Sequence, residues 1–245
     1  QKGDRILIKK IAYSLGAFAS ALSFQTFSTY IIFFYVDVMK LPAYLAGTGI
    51  MIFAIWNAVN DPLFGFISDR TRSRWGRRIP YLAAGAIPLG LAYFILWIPP
   101  FTEVNQVPWL FFYFVTAICI FDGLYSLTML NWSALFPEMF SGLKERTQVS
   151  AFRQTFGMIG LFLGVVLPPM IFSSLGWGKL GLIFGGAMAL ALLVALWGSR
   201  ERKEYEYDPP LTFLKALKAT LENRSFLTFV FANLFIQFSF TTILA

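Results

Sequence analysis

Asn57, Asn60 and Asp61 stand at i, i+3 and i+4 in the stretch WNAVNDPLFGF. On a helix, all three side chains project from one face. Pro62 follows, and its missing N–H leaves the carbonyl of Ala58 without a helical donor. A carboxylate, two amide oxygens and a freed carbonyl compose an oxygen-rich cluster. Hard cations such as Na⁺ prefer oxygen ligands, and a desolvated carboxylate can instead carry a proton. Polar packing between two helices is the competing reading. Two further ionisable residues fall in apolar sequence, Asp122 in AICIFDGLYSL and Arg153 in VSAFRQTFG. Asp122 is expected near the outer mouth of its segment. Arg153 lies about one turn into its segment and has two readings. It snorkels to the surface, or it faces a central cavity beside Gln154 and binds hydroxyls or a carboxylate.

Beyond Asp61 the chain runs into FGFISDRTRSRWGRRIP, which carries five arginines. Gly65, Asp69, Arg70, Gly76, Arg77 and Arg78 form an ordered pattern that topogenic charge alone does not require. Asp69 is expected to pair with an arginine or a helix end across the inner surface. Such a pair would hold that side closed and break when it opens.

These residues need helices in lipid to position them. The chain has 245 residues, 57% hydrophobic and 13% charged, with a mean hydropathy of +0.64. A soluble domain carries about 25% charged residues, so the solvent is lipid. Apolar segments are expected at Ile11–Val36, Tyr44–Ile67, Pro80–Ile98, Val107–Phe136, Val149–Phe172 and Leu180–Trp197. A seventh starts near Phe226 and is still apolar at Ala245, as in part of a longer protein. With the N-terminus in the cytoplasm, 17 of the 20 lysines and arginines fall inside, a strong positive-inside bias. Lys40 and Lys179 fall outside. The charge of +7 therefore follows membrane topology, and no nucleic-acid partner is expected. The charged start, QKGDRILIKK, and the long segment after it lack the form of a cleavable signal peptide. With no histidine and one cysteine, no His or Cys metal site and no catalytic constellation is expected. Residues 1–198 are expected to form a six-helix bundle and 199–225 a cytoplasmic loop. Within that loop Leu211, Leu214, Leu217 and Leu221 space a surface helix. Residues 226–245 would start a second half.

At the arginine loop the chain resembles the major facilitator superfamily. The longer run WNAVNDPLFGFISDRTRSRWGRR resembles a narrower group, the glycoside–pentoside–hexuronide:cation symporters. FFYVDVMKL, YSLTMLNWSALFPE and KERTQVSAFRQTFGMIG fit the same group. The resemblance implies an all-α membrane protein with the major facilitator fold, present as its amino-terminal six-helix half plus the start of the seventh helix. The carboxy-terminal half would be its missing partner. It also implies cation-coupled symport of a sugar or glycoside by alternating access in the cell membrane. No cofactor is expected beyond a coupling Na⁺ or H⁺. By position the family's cation site maps onto Asn57, Asn60, Asp61 and Ser126. Members of the melibiose permease type carry a second aspartate where Asn57 stands. The family's sugar-gripping aspartates fall on Ala21 and near Met129, so both are missing. Arg153 and Tyr125 match positions that line the family's sugar site. Trp132 is expected to stack on a sugar ring, with Gln25, Asn131 and Gln154 bonding hydroxyls, and Ser20 completes the candidate substrate set. Two competing functions remain. One is a lysolipid, drug or other amphiphile transporter on the same fold, and the other is a non-transporting membrane receptor or scaffold.

Overall fold

The computed structural model describes residues 2–101, 106–201 and 222–244. The expected surface helix around Leu211–Leu221 and part of the loop between the third and fourth spans lie outside them. The elements are α1 (Lys2–Phe33), α2 (Ala43–Arg70), α3 (Ile79–Leu96), α4 (Val107–Met139), α5 (Leu143–Leu175), α6 (Trp177–Gly198) and α7 (Arg224–Leu244). A π-helical turn, Phe34–Val38, extends α1. α1 with this turn and α2 to α6 are each long and apolar enough to cross a membrane.

Most helices begin and end a few residues outside the apolar stretches. The 33 residues of α4 rise about 50 Å, against a hydrocarbon core of about 30 Å. Polar turns therefore project beyond the membrane while keeping their helical hydrogen bonds. α2 runs unbroken through Pro62, so the proline spends one backbone bond and does not end the helix.

Two compact units divide the chain, Gln1–Glu206 and Tyr207–Ala245. In the first, α1 packs on α5 and α6, α3 packs on α4 and α6, and α2 packs on α4. Exchanging α1–α3 with α4–α6 maps these major pairs onto one another. Successive spans alternate in direction, so a three-helix repeat must be inverted, an arrangement known among membrane transporters. The core sits between α1, α3, α4 and α6. α2 and α5 are the least covered spans. In the second unit the described element is α7, whose Phe229, Phe231, Leu234 and Phe235 are exposed.

Lipid tails provide no hydrophobic drive between helices, so close contact must come from small residues and polar bonds. The α3–α6 crossing is made by Gly90 and Gly185, whose backbones meet with no room for a methyl group. The α1–α5 crossing is as tight. A Cβ on Gly160 would sit 2.6 Å from the Phe18 carbonyl oxygen.

Candidate functional site

The α2–α4 seam is built differently. Trp56 donates its indole N–H to the Cys119 carbonyl at 2.9 Å. Asn57 Nδ2 donates to Asp122 Oδ1 at 3.0 Å, and Asn60 Nδ2 donates to Asp122 Oδ2 at 2.5 Å. Asn57 and Asn60 are one helical turn apart on α2, so their amides reach both oxygens of one carboxylate. The Trp56 and Phe64 rings lie beside Gly123 at this point of α4. Asp122 is only 3% exposed and Asn60 is fully buried. The amide oxygen of Asn60 has no hydrogen-bond partner. Ser126, one turn beyond Asp122 on α4, is buried and makes no hydrogen bond among the described residues.

This placement corrects the expectation for Asp122. It stands midway along α4, not at the outer mouth, and it is the carboxylate that the two asparagines hold. Asp61 departs from the expected cluster. It lies on the exposed side of α2 and makes no hydrogen bond or ion pair among the described residues. A carboxylate buried among apolar helices is costly unless it is paired or hydrogen-bonded, and two amide donors meet that need at Asp122.

The candidate substrate residues divide into three groups. Ser20 Oγ and the Tyr125 hydroxyl share a hydrogen bond of 2.6 Å that joins α1 to α4. Tyr125 is one turn from Asp122, and its ring lies 5.9 Å from that of Phe121. Arg153 forms the second group. Its guanidinium lies 4.5 Å from the Trp132 ring centre and 4.8 Å from that of Phe136. It makes no hydrogen bond or ion pair among the described residues, so its donor fork is held by ring faces and not by a carboxylate. Gln25, Asn131 and Gln154 form the third group. Gln25 donates to Thr29 at 3.1 Å, and Asn131 donates to the Leu127 carbonyl at 2.7 Å. Gln154 is exposed.

Trp132 has a different part from the one expected. It is 4% exposed and stacks on Tyr13 with ring centres 5.3 Å apart. Its indole N–H donates to the Tyr13 carbonyl at 3.1 Å, and the Tyr13 hydroxyl donates to the Trp132 carbonyl at 2.8 Å. With Gly16 pressed against the indole, Trp132 braces α1 to α4 and offers no free face to a sugar. Its neighbours, not its type, decide this.

At one end of the bundle the arginine loop is drawn onto two acidic residues that the motif reading missed. Gly76 has φ 102°, a backbone shape that favours glycine. It turns the next two backbone N–H groups toward Glu201, which accepts from Arg77 and Arg78 at 3.0 Å each. Arg77 and Arg78 also both donate to Glu138 Oε1 at 2.9 Å. Asp69 pairs with Arg78 at 3.1 Å. Arg70 stays out of this cluster, and its guanidinium lies 3.8 Å from the centre of the Phe66 ring. Glu138 and Glu201 were detectable as two of the few acidic residues on a mostly basic face. Asp122 was detectable as the only acidic residue in the neighbouring apolar segment able to meet the two asparagines.

A model of the MFS/sugar transport protein family matches residues 12–245. The chain belongs to this family. Its members are membrane-embedded transporters and not enzymes. Among relatives of this MFS/sugar transport chain, an uncharacterized symporter of Synechocystis is 37% identical over 214 residues, covering 83% of this chain and 38% of the relative. The isoprimeverose transporter of Lactiplantibacillus pentosus is 30% identical over 224 residues, 86% of this chain and 46% of the relative. A sphingosine-1-phosphate transporter of Mus musculus is 29% identical over 167 residues, 67% of this chain and 33% of the relative. The chain thus spans less than half the length of each. The symporter relatives agree with the glycoside–pentoside–hexuronide:cation symporter resemblance.

Proposed function

We propose that the whole protein is a secondary active symporter that moves a sugar or glycoside together with Na⁺ or H⁺. The observation that carries this reading is the buried polar seam of α2 and α4, centred on Asp122, in a chain of the MFS/sugar transport family. A structural helix seam in lipid is satisfied by small residues and neutral bonds, as at the glycines and the Thr26 and Tyr30 bonds of the α1–α5 crossing. A carboxylate in that setting is a functional hypothesis by default.

In this mechanism the described bundle rocks against the other half around a site near the bilayer midplane. Ion and solute together favour the occluded state because they bind it better than the open ones. Arg153 supplies a planar donor fork to solute hydroxyls, and the Ser20–Tyr125 pair supplies two hydroxyls on the facing helices. The loop around Gly76 sits at the cytoplasmic side of the cell membrane, as does the N-terminus. There Asp69, Arg77 and Arg78 hold the inner ends of α2, α3 and α4 together as one body during rocking. The test uses purified full-length protein in proteoliposomes, with radiolabelled pentosides and disaccharides under imposed Na⁺, Li⁺ or H⁺ gradients. Accumulation above equilibrium under one gradient supports symport. Exchange without accumulation under any gradient rejects coupling.

A second reading changes the cargo to an amphiphile. It rests on the sphingosine-1-phosphate transporter among the relatives and on an apolar groove of about 480 Å³ along the same seam. Trp56, Phe64, Val115, Ile120 and Leu127 are among the residues that line it, and such a groove suits an acyl chain. Uptake of a fluorescent lysolipid that competes with no sugar would favour this reading.

A further inference from the structure

The end of α2 and the turn after it sort five arginines into two sets. Arg77 and Arg78 pair with Glu138, Glu201 and Asp69. Arg70, Arg72 and Arg74 are exposed, and none has a side-chain hydrogen bond or ion pair among the described residues. Trp75 stands beside them, 57% exposed, with the Arg74 guanidinium 5.4 Å from its ring centre. The turn that presents these side chains is held by its own bonds. Ser73 Oγ donates to the Gly76 carbonyl at 2.6 Å and accepts from the Trp75 N–H at 3.1 Å. The Gly76 N–H donates to the Ser73 carbonyl at 3.0 Å. Membrane topology asks for positive charge in such a turn. It does not ask for an indole held open among three uncompensated arginines.

We propose that Arg70, Arg72, Arg74 and Trp75 form a docking site for anionic phospholipid of the leaflet that meets this end of the bundle. Three positive charges with no carboxylate partner among the described residues complement an acidic headgroup and its phosphate. A guanidinium presents paired N–H donors in one plane, the geometry that phosphate oxygens accept. The indole has an apolar body and one N–H at its edge, so it settles at headgroup level. The Phe66 ring, 3.8 Å from the Arg70 guanidinium, adds an apolar surface below that charge. A soluble acidic partner would pair with the arginines and leave the indole in water, whereas lipid takes up both. One residue, Gly76, separates Trp75 from Arg77. Lipid on the exposed set of arginines therefore steadies the backbone that presents the Arg77 and Arg78 N–H groups to Glu201. The site requires a chain that sits in a membrane and does not depend on the symport reading.

The test titrates the purified full-length protein in detergent with phosphatidylglycerol or with phosphatidylcholine of the same acyl chains, read by native mass spectrometry. The parent should bind phosphatidylglycerol about tenfold more tightly than phosphatidylcholine. The combined change Arg70→Gln, Arg72→Gln and Arg74→Gln should bring that ratio to within about twofold. Trp75→Ala should weaken both lipids alike, by about threefold, because the indole meets the interface and not the charge. A control removes three other exposed cations of the same end, with Arg5→Gln, Lys9→Gln and Lys144→Gln, and should leave the ratio close to the parent's. If the control lowers the ratio as far as the arginine variant does, the preference belongs to net charge and the site is refuted. A parent that binds both lipids equally would overturn the proposal. Glycerol phosphate binding as tightly as the lipid would overturn it too, by making this a site for a soluble anion. Thermal unfolding without added lipid should be the same for the parent and both combined variants, since every replaced side chain is exposed. Should the arginine variant unfold early, Arg72→Gln and Arg74→Gln made singly decide, each lowering the ratio by about threefold.

Discussion

The α1–α5 and α2–α4 seams occupy equivalent places in the two three-helix repeats, yet they are held by different means. At α1–α5, Gly160 and Gly164 bring backbone against backbone. Thr26 donates across to the Gly164 carbonyl at 2.8 Å, and Tyr30 donates to the Val165 carbonyl at 2.7 Å. Away from the end of this seam, where Lys10 pairs with Glu145 and donates to Gln148, these bonds end on carbonyls and carry no net charge. At α2–α4 Trp56 donates to the Cys119 carbonyl, and the two asparagine bonds converge on the Asp122 carboxylate. The first seam is a fastening. The second holds a charge whose partners can change. One architecture thus supplies rigidity in one repeat and chemistry in the other.

The sharpest way to break this comparison is to overfill the fastening. Gly160→Leu drives a side chain into the Phe18 carbonyl, and the backbone there cannot yield as a flexible side chain would. A destabilisation of about 3 kcal/mol or more is expected. In thermal unfolding of the full-length protein it should appear as loss of the folded peak, with all transport lost alongside. A Gly160→Leu protein that is as stable as the parent would show that α1 and α5 need not touch.

Next in size is the inner end of the α2–α4 seam, where Glu138 holds both arginines and is buried. Glu138→Gln should cost about 2 kcal/mol. That is below the full penalty for breaking a buried pair, because Arg78 keeps Asp69 and Arg77 keeps Glu201. The loss should be equal with and without solute, since this cluster fastens and does not bind. The smallest effect is expected at Thr26→Val. It removes one inter-helix bond and keeps the shape, for about 1 kcal/mol, with transport unchanged. A larger loss of transport than of stability at Thr26 would blur the division between the two seams.

Much of this was legible in the sequence. Length and hydropathy located six spans, because a helix in lipid must satisfy its own backbone bonds over a fixed thickness. The arginine loop marked the turn between the second and third spans. The depth of Asp122 was not legible, since registry across a seam depends on helix tilt, which is not written in the periodicity of one segment. The same limit applies to Trp132. An aromatic in a span can face lipid, solute or core, and only the reciprocal bonds with Tyr13 place it in the core. Asp61 shows the converse. Its i, i+4 spacing from Asn57 was read correctly as nearness on the helix, but α4 approaches the side that carries Asn60.

The central claim is that the α2–α4 carboxylate couples and does not fasten. Asp122→Asn preserves shape, and a facing asparagine amide can turn to accept from the new N–H, so its stability should stay within about 1 kcal/mol of the parent. The decisive measurement compares counterflow with gradient-driven accumulation for the full-length Asp122→Asn protein in proteoliposomes. Counterflow should persist while accumulation falls to the equilibrium level under every imposed ion gradient. Full accumulation by Asp122→Asn would contradict the account and return the seam to structural polar packing.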